Sequence, residues 1–112
     1  RQTEVAVVGG GLTLYEAAAL SAPPVAVAVV DAQRPTIQGF VRRRAAVDGG
    51  SLTGDASLAR VADEVTTLLA SSSKARRLGQ AGARLVDGRG VFRVADAIRR
   101  LARRAEGRTH AA

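Results

Sequence analysis

A mixed α/β fold, with a partial Rossmann-like parallel sheet of about three strands flanked by helices, is predicted by three features of the chain. Two valine-rich runs, Glu4 to Val8 and Val25 to Val30, are apolar without polar alternation, as strands covered on both faces are. A helix-length apolar segment, Leu12 to Leu20, lies between them and completes a βαβ unit, whose crossover is expected to be right-handed. Beyond residue 55 the apolar residues recur with helical spacing only.

The first strand runs into Gly9, Gly10 and Gly11 and then directly into the helix. Glycines at such a junction let the backbone turn sharply and let an anion come close, while the free N–H groups and positive dipole end of the helix point at it. Taken alone, the three glycines fit a purely structural turn equally well. The spacing is neither the dinucleotide fingerprint nor a P-loop, since G-x-G-x-x-G and Gly-Lys-Ser/Thr are both missing. Glu16 stands one turn into a helix that reads as apolar nearly all round, where an unpaired carboxylate is costly to bury, so a ligand or capping role is expected for it.

Pro23 and Pro24 end the first helix and lead into the second strand. Asp31 to Pro35 reads as a loop, with Pro35 in the first turn of a helix running to about Arg44. Ala45 to Asp48 is a brief third strand closed by Gly49-Gly50. From an N-cap at Asp55, Leu58, Val61, Ala62, Val65, Leu68 and Leu69 draw one apolar stripe on a helix. Ser71 to Ser73 interrupt it, and Lys74 to Val86 carry a second amphipathic helix with Leu78, Leu85 and Val86 inward. Asp87-Gly88-Arg89-Gly90 is read as a turn that docks the last helix, with Gly88 suited to a left-handed cap. Val91, Val94, Ala95, Ile98, Leu101 and Ala102 line that helix, and residues 106–112 are expected to form a flexible tail after a domain spanning 1–105.

The 112 residues suffice for one domain. Sixteen Arg and one Lys against ten acids give a net charge of +7, which makes nucleic acid, anionic membrane or a phosphorylated ligand worth weighing. Two Phe and one Tyr leave almost nothing on which bases could stack, which weighs against nucleic acid, and the arginines at 42 to 44 and on the last helix read as solvated faces. With no Cys and a single histidine, His110, no metal site and no cofactor are expected. The longest apolar run, Ala22 to Val30, carries two prolines and falls well short of the roughly 20 residues of a membrane span, so a soluble, cytoplasmic protein is expected. The chain opens on Arg1 and is read as a fragment. A half sheet has an open edge, for which a missing N-terminal segment or a second copy in a homodimer is the expected partner.

Gly10-Gly11-Leu12-Thr13-Leu14-Tyr15-Glu16, Ala22-Pro23-Pro24-Val25, Asp31-Ala32-Gln33-Arg34-Pro35 and Leu85-Val86-Asp87-Gly88-Arg89-Gly90 together resemble the C-terminal domain of GT-B-fold nucleotide-sugar enzymes. The nearest likeness is to the group of the pseudaminic-acid-pathway UDP-sugar hydrolase and the spore-coat polysaccharide biosynthesis proteins, and a more distant one is to the peptidoglycan N-acetylglucosaminyltransferase. The resemblance implies that Gly9, Gly10, Gly11 and Thr13 approach the diphosphate of a UDP-sugar, that Glu16 holds the ribose hydroxyls, and that Gln33 faces the sugar with Arg34 beside it. The chain departs from the pattern at Ser21-Ala22, where relatives carry Gly, and at Ala32, where they carry Asn. The implied parent is a glycosyltransferase or a nucleotide-sugar hydrolase of polysaccharide biosynthesis whose acceptor-activating residues lie outside this chain, which alone would be inactive. The rival reading is a non-catalytic basic module that dimerises or binds a polyanion.

Overall fold

A computed structural model describes residues 4–52 and 57–111. Three parallel strands, β1 (Ala6–Gly9), β2 (Pro24–Ala28) and β3 (Val47–Ser51), lie in the order β1-β2-β3. They alternate with helices α1 (Leu12–Ala19) and α2 (Arg34–Arg42), the latter entered through a 3-10 turn at Asp31–Gln33. Three helices follow, α3 (Ser57–Ala70), α4 (Ser72–Leu85) and α5 (Gly90–Ala111). The mixed α/β architecture with a three-stranded parallel sheet is the one predicted, and it is that of a partial Rossmann-like fold.

β2 is central and wholly buried, and its alternation divides the core. Ala26 and Ala28 face Leu14 and Ala18 of α1 and Ile37 and Phe40 of α2, whereas Val25 faces Leu68 of α3 and Leu78 of α4. The alanines on the first face let the two helices sit close to the sheet. α4 also packs across α1, where Gly79 and Gly82 meet Ser21 and Ala18. On its outer side β1 pairs with no strand among the described residues, and Val7 there is half exposed.

Several elements differ in detail from the sequence reading. β2 stops at Ala28, and Val29 and Val30 emerge into solvent. Gly49 and Gly50 lie inside β3 rather than closing it. The register shifts between Ala26 and Ala28, and Gly50 adopts φ +93° with its N–H donated to Asp48 Oδ1 at 2.8 Å. Gly49 is needed there because a Cβ would fall 2.9 Å from Val25 Cγ1. The Asp55 cap lies outside the described residues. Of the stripe on α3, Leu68 is buried and Val61 and Val65 are half-buried, but Leu58 and Leu69 are exposed, since the sheet covers a narrower arc than the stripe. α4 begins earlier than predicted because Ser71 caps it, its hydroxyl accepting the Lys74 N–H.

Two helices end in paired reverse hydrogen bonds around a left-handed residue. Ser21 (φ 59°) follows α1, with Ser21 N–H to Ala18 O and Ala22 N–H to Ala17 O. Arg44 (φ 59°) follows α2, with Arg44 N–H to Val41 O and Ala45 N–H to Phe40 O. Both are Schellman motifs carried by residues other than the usual glycine.

Gly88 takes the left-handed conformation expected of it, at φ +78°. Asp87 accepts the Arg89 N–H at 3.0 Å and is clasped by the Arg93 guanidinium, which holds its carboxyl below the usual range, aided by the Arg89 N–H. The Arg89 guanidinium stands 5.4 Å from the centre of the Phe92 ring. These contacts fix only the start of α5. The expectation that the turn docks this helix does not hold among the described residues: Val91, Val94, Ile98 and Leu101 are all more than half exposed. α5 also continues through Glu106 to Ala111, residues predicted as tail.

Candidate functional site

The carboxyl ends of the strands in an open parallel sheet are where α/β proteins take ligands. At this edge β1 ends in Gly9, Gly10 and Gly11 lead into α1, and Gly11 is its N-cap. No side chain caps that end. The N–H groups of Leu12 and Thr13, in the first turn, cannot have an intrahelical acceptor and are directed out of the helix end. The three glycines differ in why they are glycine. A Cβ on Gly10 would fall 2.8 Å from Ile37 and 2.9 Å from Gln33 Cβ, so packing against α2 excludes any side chain. Gly9 and Gly11 have room for one, the latter meeting only Gln33 Nε2 at 3.6 Å. None of the three has a left-handed φ, so close approach and not backbone freedom is the reason for glycine at position 10.

Gln33 ties this corner together. Its Oε1 accepts the Gly10 N–H at 3.3 Å and the Val29 N–H at 2.9 Å. Two backbone donors on one oxygen settle which way the carboxamide points, and the Nε2 group is left beside Gly11 at the mouth of the turn. Gln33 therefore removes one donor of the turn, the Gly10 N–H, and presents its own NH₂ at the same place. Sequence reasoning assigned it a sugar-facing role and missed this latch, because position 33 is joined to position 10 only by the fold.

Thr13 and Glu16 are both exposed and, three residues apart, lie on one side of α1 facing away from the sheet. Glu16 is therefore not at the buried position that the sequence predicts for it. α1 is one-sided, with Leu14, Ala17 and Ala18 buried and Leu12, Tyr15, Glu16 and Leu20 exposed, so the carboxylate is solvated and free to meet a ligand. Tyr15 instead packs edge-on against Phe40, with ring centroids 5.1 Å apart.

Arg34 is not brought to the glycine turn. It is paired with Asp31 at 3.7 Å in an exposed position and lines a cleft of about 10 Å³ with Gln38, Asp48 and Gly50 on the β3 side. Asp48, unremarked in the sequence, organises that side: it accepts Gln38 Nε2 at 3.1 Å as well as the Gly50 N–H, and lies 3.8 Å from Arg60. Its signal was present as an Asp followed by two glycines, the composition of a side-chain-capped turn. No helix among the described residues is long and apolar enough to cross a membrane.

No family model matches the chain, and no solved structure matches it. It is similar to the spore coat polysaccharide biosynthesis protein SpsG of Bacillus subtilis (strain 168), with 32% identity over 96 residues, which are 84% of this chain and 27% of that protein. The chain thus spans about a quarter of the length of the curated relative it matches.

Proposed function

We propose that this chain is the nucleotide-sugar-binding, donor-side part of a glycosyltransferase-like enzyme of polysaccharide biosynthesis, corresponding to the later part of a GT-B C-terminal domain. The observation that carries the reading is the convergence of donors at the end of β1. The Leu12 and Thr13 N–H groups and the Gln33 amide NH₂ stand around one mouth at the positive end of a helix. Such a set neutralises a diphosphate without requiring a metal. The similarity to a protein named for spore coat polysaccharide biosynthesis supports the same direction.

In this reading Gly9, Gly10, Gly11 and Thr13 border the diphosphate of a UDP-sugar. Glu16, solvated and one turn further on, accepts from the neighbouring ribose hydroxyls, as a carboxylate with two oxygens can. Gln33, held from behind by two backbone donors, faces the junction of sugar and phosphate, and Arg34 reaches the site only by giving up Asp31. Departure of the diphosphate from the anomeric carbon is aided because its developing charge lies against donors already in place. The acceptor would be activated by groups outside this chain, in an N-terminal domain adjoining the open edge of β1.

Calorimetric titration of the chain with UDP and UDP-N-acetylglucosamine, repeated with Glu16→Ala, tests the reading. Binding that Glu16→Ala weakens is the expected result. Absence of binding at millimolar ligand, in a sample shown to be folded, rejects a self-sufficient donor site.

A further inference from the structure

At the other end of the sheet, where β3 begins, α2 and α4 enclose a half-open groove of about 530 Å³. Its floor is apolar, made by residues such as Val47 and Leu78, and its rim carries Arg43, Arg44, Lys74, Arg77 and Arg84. Five cations border this groove, and among the described residues no carboxylate lines it and none of the five joins an ion pair. The imbalance is local, since the chain as a whole has ten acids and residues 32–47 and 65–86 have none.

Two of these cations stand where local stability would not place them. Arg44 occupies the left-handed position after α2, at φ 59°, where glycine is the low-energy choice. Lys74 lies in the first turn of α4, where the helix dipole favours acids and opposes cations. Strained or electrostatically opposed residues gathered around one cavity are a reason to look for a ligand. The groove has the volume of a small-molecule site rather than of an extended track. No aromatic side chain lines it, so bases have no stacking surface there. Four guanidinium forks and an ammonium around so small a volume match an anion of high charge density with many planar-fork acceptors, which is the chemistry of linked phosphates.

We propose that this groove is a binding site for a small polyphosphate anion, separate from the glycine turn and at the opposite end of the strands. Arg44, Arg77 and Arg84 bind the phosphate oxygens from the two walls. Occupancy would relieve the mutual repulsion of the rim cations and cross-link α2 to α4.

The test is titration of the chain with sodium tripolyphosphate at constant ionic strength, read by calorimetry and by backbone amide NMR. Saturable binding is expected, with shifts centred on residues 41–47 and 74–84. Arg77→Gln combined with Arg84→Gln should weaken it about tenfold or more, as loss of roughly 1.4 kcal/mol or more would. Arg103→Gln combined with Arg104→Gln, which removes the same charge from α5, should change it less than about twofold. Arg44→Gly, which relaxes the backbone while deleting a guanidinium, should weaken binding without loss of fold. Equal losses in the two double variants would overturn the proposal, because net charge alone would then account for the affinity. Shifts confined to residues 10–13 would overturn it while leaving the donor site standing. Association with phosphatidylglycerol vesicles but not with tripolyphosphate would overturn it in favour of a membrane-facing surface.

Discussion

Gly79 lies so close to Ser21 that a Cβ at position 79 would come within 2.3 Å of the Ser21 carbonyl oxygen. The obstacle is backbone, which cannot swing aside. Gly79→Ala should therefore destabilise the fold by about 2–3 kcal/mol or more, despite the better helix propensity of alanine. Gly39, also inside a helix, has nothing within 4 Å of its would-be Cβ, and Gly39→Ala should stabilise by about 0.5–1 kcal/mol. Urea unfolding of both variants checks the contrast, and a stable Gly79→Ala protein would mean that α4 does not cross α1 this closely.

Ser21 and Arg44 hold a conformation that glycine adopts without steric cost. Replacing either by glycine removes about 1–2 kcal/mol of left-handed strain and adds back most of a kilocalorie of unfolded-state entropy. A gain of a few tenths to about 1 kcal/mol is expected for each, seen as a raised denaturation midpoint with an unchanged slope. A loss would mean that side-chain contacts of Ser21 or Arg44 outweigh the strain.

Gln33 separates structure from binding. Gln33→Ala leaves the Gly10 and Val29 N–H groups without their acceptor and should cost about 1 kcal/mol, since the Gly10 donor is part-buried while the exposed Val29 N–H can turn to water. Gln33→Glu keeps an acceptor for both but turns the NH₂ at the mouth into a carboxylate oxygen. Stability should be retained, while binding of a nucleotide diphosphate falls about tenfold or more through repulsion. Equal nucleotide affinity in Gln33→Glu and the unaltered chain would remove Gln33 from the diphosphate site.

The Asp87–Arg93 clasp is lost at acid pH. Asp87 titrates lower when folded than when unfolded, with the Arg93 hydrogen bond as the main cause. Its contribution is present above the unfolded value, near about 3.9, and is lost as pH falls through the lower folded value. The protection of amides at the start of α5 against hydrogen exchange, taken relative to the intrinsic rate at each pH, should be unchanged from neutral pH to about 5 and fall only below about 4. Asp87→Asn should abolish that acid step.

Element order and type were legible because they rest on local pattern. The unbroken apolar run of 25 to 28 called for a two-sided strand, the apolar segment Leu12 to Leu20 for a helix, and Gly88 for a left-handed turn, each from residues within a few positions of one another. Glycine composition marked the end of β1, but the reason for Gly10 lay in Ile37 and Gln33, more than twenty residues away. Similarly, Gly49 and Gly50 read as a stop and instead lie within β3 opposite a shift of register, since only Val25 and Val27 of the neighbouring strand show how close the backbones must come.

The sequence by itself determined the parallel βαβ framework, the glycine turn at a helix start and the excess of arginine, because periodicity, propensity and charge are properties of neighbouring residues. Only the tertiary structure decided that Gln33 faces the turn while Arg34 pairs with Asp31, that Glu16 is solvated, that the stripe of α5 is uncovered among the described residues, and that the rim cations of α2 and α4 share one groove. Those relations depend on which distant surfaces the sheet brings within hydrogen-bonding or van der Waals range, and no local pattern encodes that distance.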